Sequence, residues 1–145
     1  LEKDDHPVWQ NGALTTVIEK FHRICKSNGV PREAYTTVEG FYNDSLDSAS
    51  ADAAPTKIRL DYIGCDMNSI TQNVLNFLRA RLKHGVILAF DDYCCWSDTQ
   101  VLGERLAMLE AFEGDDQWNL LPYVQYTRAG TFFVLESKVL LKTGK

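Results

Sequence analysis

The sequence predicts an α/β fold: a mostly parallel sheet flanked by helices and ending in an antiparallel hairpin. Three observations carry this reading. Ile87-Leu-Ala-Phe90 is an unbroken apolar run that stops at Asp91-Asp92-Tyr93, and Lys57 to Cys65 alternates at Ile58, Leu60 and Tyr62, becomes continuous at Ile63, and stops at Asp66. Runs of this length suit strands buried on both faces of a helix-covered sheet. Between them Ile70, Val74, Phe77, Leu78 and Leu82 recur at helical spacing, so the unit reads strand, helix, strand with a right-handed crossover. Farther on, Trp118 to Tyr126 and Thr131 to Leu135 are two strand-like runs joined by Thr127-Arg-Ala-Gly130, a hairpin with Gly130 at its tight position.

The remaining elements follow in order. Thr16-Val-Ile-Glu19 matches a capping box, and Val17, Ile18, Phe21, Ile24 and Cys25 form an amphipathic stripe that Ser27-Asn28-Gly29 stops. Tyr35 to Val38 reads as a short strand with Gly40-Phe41-Tyr42 as its exit. Asp47 to Pro55, built from Asp, Ser and Ala, reads as a solvated loop. Asn68 or Ser69 caps the central helix, and His84-Gly85 supplies its cationic last turn and stop. Ser97-Asp-Thr-Gln100 is a second capping-box candidate, followed by a stripe of Leu102, Leu106, Leu109 and Phe112 up to Gly114. Lys138, Lys142 and Lys145 belong to a solvated tail.

The 145 residues suit one domain, able to bury about two thirds of the surface its unfolded chain exposes. Hydrophobic content of 45% and charged content of 24% are globular values. A net charge of −5 and a pI near 5.1 argue against nucleic acid or an anionic membrane as partner. No apolar run approaches a membrane span and no basic-then-apolar leader opens the chain, which predicts a cytoplasmic protein. Cys25, Cys65, Cys94 and Cys95 lack disulfide or zinc spacing and are read as free thiols.

Ligands of such sheets bind beyond the carboxyl ends of the strands, where Asp66, Asp91 and Asp92 converge if the two runs are neighbours. Adjacent carboxylates are costly to hold without a counter-charge, which favours function for Asp91 and Asp92, against a turn-capping or solvated role. For Asp66 an N-terminal helix cap is an equally good reading. Tyr93 and Trp96 could line an acceptor pocket or simply pack.

Tyr62-Ile-Gly-Cys-Asp-Met-Asn-Ser69, Leu75-Asn-Phe-Leu-Arg-Ala-Arg-Leu82, His84-Gly-Val-Ile-Leu-Ala-Phe-Asp-Asp-Tyr93 and Leu121-Pro-Tyr-Val-Gln-Tyr126 resemble the C-terminal half of class I S-adenosylmethionine-dependent methyltransferases, most nearly the macrocin O-methyltransferase-like family. The resemblance runs from about Val38 to Leu135. It implies a partial Rossmann-like fold, O-methyl transfer to a sugar or small-molecule hydroxyl, and S-adenosylmethionine approached by Gly40 and Phe41. It also implies magnesium held by Asp66, Asp91 and Asp92, with Asp66 as the base. Magnesium takes hard oxygen ligands and would lower the pKa of a hydroxyl that shares it.

Two departures stand out. Gly64 and Asn68 occupy positions where the family has Asp and commonly Tyr, and no Gly-x-Gly cofactor turn occurs anywhere in the sequence. The expectation is a single truncated domain, 1–145, lacking the N-terminal cofactor-binding strands. Its first full strand would then have an open apolar edge, predicting a homodimer or a sheet in which Tyr35 to Val38 pairs with Lys57 to Cys65. Two further functions follow from the departures: a non-catalytic remnant acting in assembly, or a metal-binding module without the cofactor.

Overall fold

The computed structural model describes residues 4, 16–46, 55, 57–97 and 99–143. The chain divides into two compact units, residues 6–40 and the remainder.

In the first unit α1 (Ile18–Ser27) stops at Asn28, and Gly29 follows in the left-handed region at φ 76°. The Thr16 capping box does not form: Val17 occupies the cap and no side chain bonds the first turn. After a 3₁₀ turn at Arg32–Ala34 the expected strand at Tyr35 to Val38 is absent. Its first residue is held by the helix instead. The Tyr35 hydroxyl lies 2.8 Å from His22 Nδ1, the two rings stack at 5.7 Å, Phe21 meets Tyr35 edge-on at 5.6 Å, and the Arg32 guanidinium sits 4.9 Å from the Tyr35 ring. Aromatic content favoured a strand, but those contacts are local and satisfy the ring without a sheet.

The second unit opens with a short helix, α2 (Tyr42–Ser45), and contains the sheet. The expected loop at Asp47 to Ala54 lies outside the described residues. Strands β1 (Leu60–Ile63), β2 (Ile87–Phe90), β3 (Trp118–Gln125) and β4 (Thr131–Ser137) are ordered β1-β2-β4-β3. β1 and β2 are parallel, with Leu60 opposite Ile87 and Ile63 opposite Phe90. β2–β4 and β3–β4 are both antiparallel. The expected mostly parallel sheet is therefore corrected to a mixed one: the strand that would have added parallel pairing does not form, and the hairpin docks against β2. The register irregularity at Pro122–Val124 suits a proline on an edge strand, where no ladder N–H is required.

Helices α3 (Asn68–Arg79) and α4 (Gly103–Phe112) pack on each other and on the face made by Ile63, Leu88, Phe90, Phe133 and Leu135. The buried stripe of α3 is Asn68, Thr71, Leu75 and Leu78, one residue round from the expected one, with Val74 and Phe77 at its margin. The opposite face of β1 carries Leu60 and Tyr62, 54% and 59% exposed, and β1 is an edge strand among the described residues. The tail forms α5 (Lys138–Thr143), and Lys138 Nζ donates to the Asp115 carbonyl at 2.6 Å.

The turn between α4 and β3 is organised by Asp115. Its Oδ1 accepts from the Gln117 and Trp118 N–H groups at 2.7 and 2.8 Å, its Oδ2 pairs with Arg79, and Arg79 also donates to the Ala111 carbonyl. Burial pushes the Asp115 carboxyl up, but those two N–H donors and the guanidinium outweigh it and hold it below the usual range. Asp115→Ala strands the two N–H groups and is expected to cost about 2–4 kcal/mol by chemical denaturation. Because the folded-state pKa is depressed, the stabilisation is present above the ordinary carboxylate range and lost as pH falls through the folded value. The gap between wild type and variant therefore narrows in acid.

Candidate functional site

The loops after β1 and β2 meet at the carboxyl ends of the parallel pair. Asp91 N donates to the Ile63 carbonyl at 2.8 Å, which sets the two loops side by side. Asp66 adopts the left-handed region at φ 60°, the one non-glycine residue to do so among the described residues. It is not the helix cap that sequence allowed; Met67 holds that place. A non-glycine residue in that region is uncommon and is held there by its surroundings.

The holder is Glu104, a residue the sequence did not single out. Its side chain is fully buried, Oε1 accepts from Cys65 N at 2.8 Å and from Asp66 N at 3.3 Å, and Oε2 accepts from Asp92 N at 2.9 Å. Glu104 reaches the loops because Gly103, at φ 54°, lets the start of α4 approach Asp66 and the Trp96 indole closely. The Ser97 capping box misplaced this helix: Ser97 Oγ accepts from Thr99 N and Gln100 N at 3.2 and 2.7 Å in a separate turn, and α4 begins six residues beyond Ser97, at Gly103. A glycine inside an apparently helical stretch was the available signal. The buried side of α4 is Gly103, Glu104, Ala107, Met108 and Phe112, so Leu106 and Leu109 are less central than expected.

Asp66 and Asp92 are joined side chain to side chain. Burial, then the hydrogen bond it makes to Asp66 and the nearby charges of Asp66, Glu104 and Asp91, push Asp92 up to about 8, so Asp92 holds its proton at neutral pH. Asp91 faces a different partner: its Oδ1 accepts from the Tyr126 hydroxyl at 2.6 Å, and Tyr126 in turn lies 3.4 Å from the Tyr62 hydroxyl. Burial and those two bonds raise the Tyr126 phenol, which stays a donor. A row of three oxygen groups from Tyr62, Tyr126 and Asp91 thus lies beside the Asp66–Asp92 pair.

The three aspartates share this region, yet among the described residues no three His, Cys, Asp or Glu side chains are grouped so as to hold a metal ion. Asp91 Oδ1 accepts from the Tyr126 hydroxyl instead, and the expected magnesium centre finds no support in this arrangement. Of the cofactor candidates, Gly40, at φ 130°, is the last residue of the 6–40 unit, and Phe41, 81% exposed, is the N-cap of α2 in the other unit. Tyr93 packs against Phe90 and Phe133, with ring centroids 6.0 and 5.1 Å away, and Arg105 lies 5.8 Å over its face. That is a packing role.

All four cysteines are free. Burial and the nearby Glu104 carboxylate push Cys65 up to about 12, and burial with Asp92 does the same to Cys95. Both thiols are expected to resist a maleimide or aromatic disulfide reagent at pH 7.5 in the native state and to label only on unfolding. Mass-mapped labelling of folded protein checks this, and rapid modification of either would contradict it.

No family model matches the chain, and no curated protein matches it. Thirteen solved chains do. The O-methyltransferase NovP superposes over 88% of this chain with a TM-score of 0.67 at 17% identity, covering 48% of NovP. The apo structure of CalS11, a TDP-rhamnose 3'-O-methyltransferase of calicheamicin biosynthesis, superposes over 79% with a TM-score of 0.54 at 26% identity, covering 46% of CalS11. The fold is that of O-methyltransferases, and the chain spans about half the length of these two. Among the described residues no helix is long and apolar enough to cross a membrane.

Proposed function

We propose that this chain is the acceptor-handling part of an S-adenosylmethionine-dependent O-methyltransferase of the macrocin O-methyltransferase-like kind, acting on a sugar or small-molecule hydroxyl. The observation that carries the reading is the Asp66–Asp92 pair at the carboxyl ends of β1 and β2, in a fold shared with NovP and CalS11. S-adenosylmethionine, when bound, supplies a methyl group on a positively charged sulfur, and Gly40 and Phe41 are the residues this chain offers it. Methyl transfer would release the acceptor's hydroxyl proton, and the Asp66 and Asp92 carboxyls are the groups this chain offers to take it once Asp92 has lost its own. Asp91, oriented by Tyr126, accepts a hydrogen bond from a neighbouring hydroxyl and fixes the acceptor's angle. No step runs through magnesium.

Isothermal titration of S-adenosylhomocysteine into the chain, with and without magnesium, tests the reading. Saturable binding that is indifferent to magnesium supports it and justifies an acceptor screen with a labelled methyl donor. Absence of heat at millimolar ligand overturns it in favour of a non-catalytic remnant, and a magnesium response without cofactor binding favours a metal module.

The same reading extends to assembly. β1 is an edge strand among the described residues, with Leu60 and Tyr62 exposed beside it, and such edges pair with other chains. A second copy pairing along β1 would close it. The expected result is a dimer mass by light scattering that Leu60→Lys with Tyr62→Lys converts to a monomer without loss of secondary structure; a monomeric wild type across the micromolar range contradicts it.

A further inference from the structure

We propose that Glu104 is a positioning residue: by accepting backbone N–H bonds from Cys65, Asp66 and Asp92 at once, it fixes the separation of Asp66 and Asp92 and thereby the place where an acceptor hydroxyl is deprotonated. The proposal rests on the methyl-transfer reading for its consequence, but its geometry stands independently.

Burying a carboxylate is costly unless its oxygens are satisfied. Glu104 is fully buried on the first turn of α4, and no cation is bonded to either oxygen in the contacts that hold it. Charged side chains in that setting are normally paired or hydrogen-bonded. Here the compensation is three main-chain donors, and all three belong to the two loops that carry the candidate base. One carboxylate therefore bridges three elements: the ends of β1 and β2 and the start of α4. Without it Cys65 N, Asp66 N and Asp92 N would each need a new acceptor, and the loops would have no common anchor.

Two further observations show the surroundings shaped around this contact. Asp66 is held at φ 60°, a conformation that turns its N–H toward Glu104 while its side chain meets Asp92. Gly103 packs so closely on the Asp66 carbonyl that a Cβ would lie 2.5 Å from it, which fixes the helix start against the same loop. A glutamine at 104 keeps the shape but offers only one acceptor oxygen and presents N–H groups to a loop donor, so one side of the bridge is lost. An aspartate keeps both oxygens on a shorter arm.

The test uses the whole chain and the variants Glu104→Gln and Glu104→Asp, read by amide NMR and, where a methyl acceptor is found, by steady-state kinetics. In wild type the Cys65, Asp66 and Asp92 amides are expected to be downfield and as protected from hydrogen exchange as Phe90 in β2. Glu104→Gln shifts that set upfield while the β3–β4 hairpin amides stay in place, and Glu104→Asp restores part of the shift. In turnover, kcat falls about 100-fold in Glu104→Gln with KM changed less than about threefold, as a small misplacement of the base predicts. Wild-type amides at these three positions that exchange like exposed loop residues overturn the proposal, even if no variant folds. So do Glu104→Gln spectra unchanged at these amides, or changed equally across the hairpin. A wild type with no transferase activity refutes the functional reading and leaves the amide result to decide the positioning role.

Discussion

Gly103→Ala is expected to lower the melting temperature by roughly 10 °C. Gly103 sits at φ 54°, where an L side chain costs about 1–2 kcal/mol. The added Cβ would also lie 2.5 Å from the Asp66 carbonyl oxygen and closer still to the Trp96 indole nitrogen. The carbonyl belongs to a loop fixed by Glu104 and cannot retreat freely, so the overpacking adds about 1–3 kcal/mol. A total near 3 kcal/mol corresponds to the stated shift for a domain of this size. Gly114→Ala is the internal control: its φ is 75°, but nothing lies within 4 Å of the new methyl, so only the backbone cost of about 1–2 kcal/mol applies. Paired thermal melts separate the two terms. If the two variants melt within a few degrees of each other, close approach at Gly103 is not the constraint that sets α4 against the Asp66 loop.

The β1–α3–β2 unit and the hairpin were legible because burial imposes a period that side-chain polarity records. Leu88 and Phe90 face the helices, and Phe133 and Leu135 continue that face across the β2–β4 register. Carboxylates at strand ends were legible for the same reason: Asp66, Asp91 and Asp92 interrupt apolar runs. The illegible parts depend on contacts that leave no pattern. Tyr35 has strand-like neighbours in sequence, yet His22, Phe21 and Arg32 occupy its ring. Glu104 looks like a solvated helical residue because its partners are main-chain N–H groups, which every sequence supplies. The parallel count failed with Tyr35, since a third parallel strand was expected there and the hairpin supplies the remaining pairs instead. The metal expectation gained no support: three aspartates reached one region, but Asp91 Oδ1 there accepts from Tyr126, a residue 35 positions away that no spacing rule links to it.

Asp92→Asn is expected to stabilise the protein at alkaline pH while reducing methyl transfer by about 100-fold or more. The stability sign follows from the raised pKa. Asp92 moves from an ordinary 3.8 to about 8 because burial, the bond from Asp66 and the surrounding carboxylates all disfavour its charge. The folded protein thus binds this proton more tightly than the unfolded chain does. The resulting stabilisation is fully present below about pH 4 and is lost as pH rises through about 8. Asparagine keeps a donor toward Asp66 and never ionises, so the difference in melting temperature, variant minus wild type, grows from pH 5 to pH 8.5. Asp61→Asn provides the comparison. Burial alone raises Asp61 to about 6, one of its carboxyl oxygens is buried without a hydrogen-bond partner, and it sits within β1. Its gain is complete at lower pH and leaves transfer unchanged. Catalysis has the opposite requirement: the proton whose retention stabilises the fold is the one Asp92 must release to act as a base, so wild-type turnover rises with pH toward about 8. Removing Asp92 removes that rise along with most of the rate. A variant that gains alkaline stability and keeps its activity would place the base elsewhere at the strand ends, with Asp91 the next carboxylate to replace.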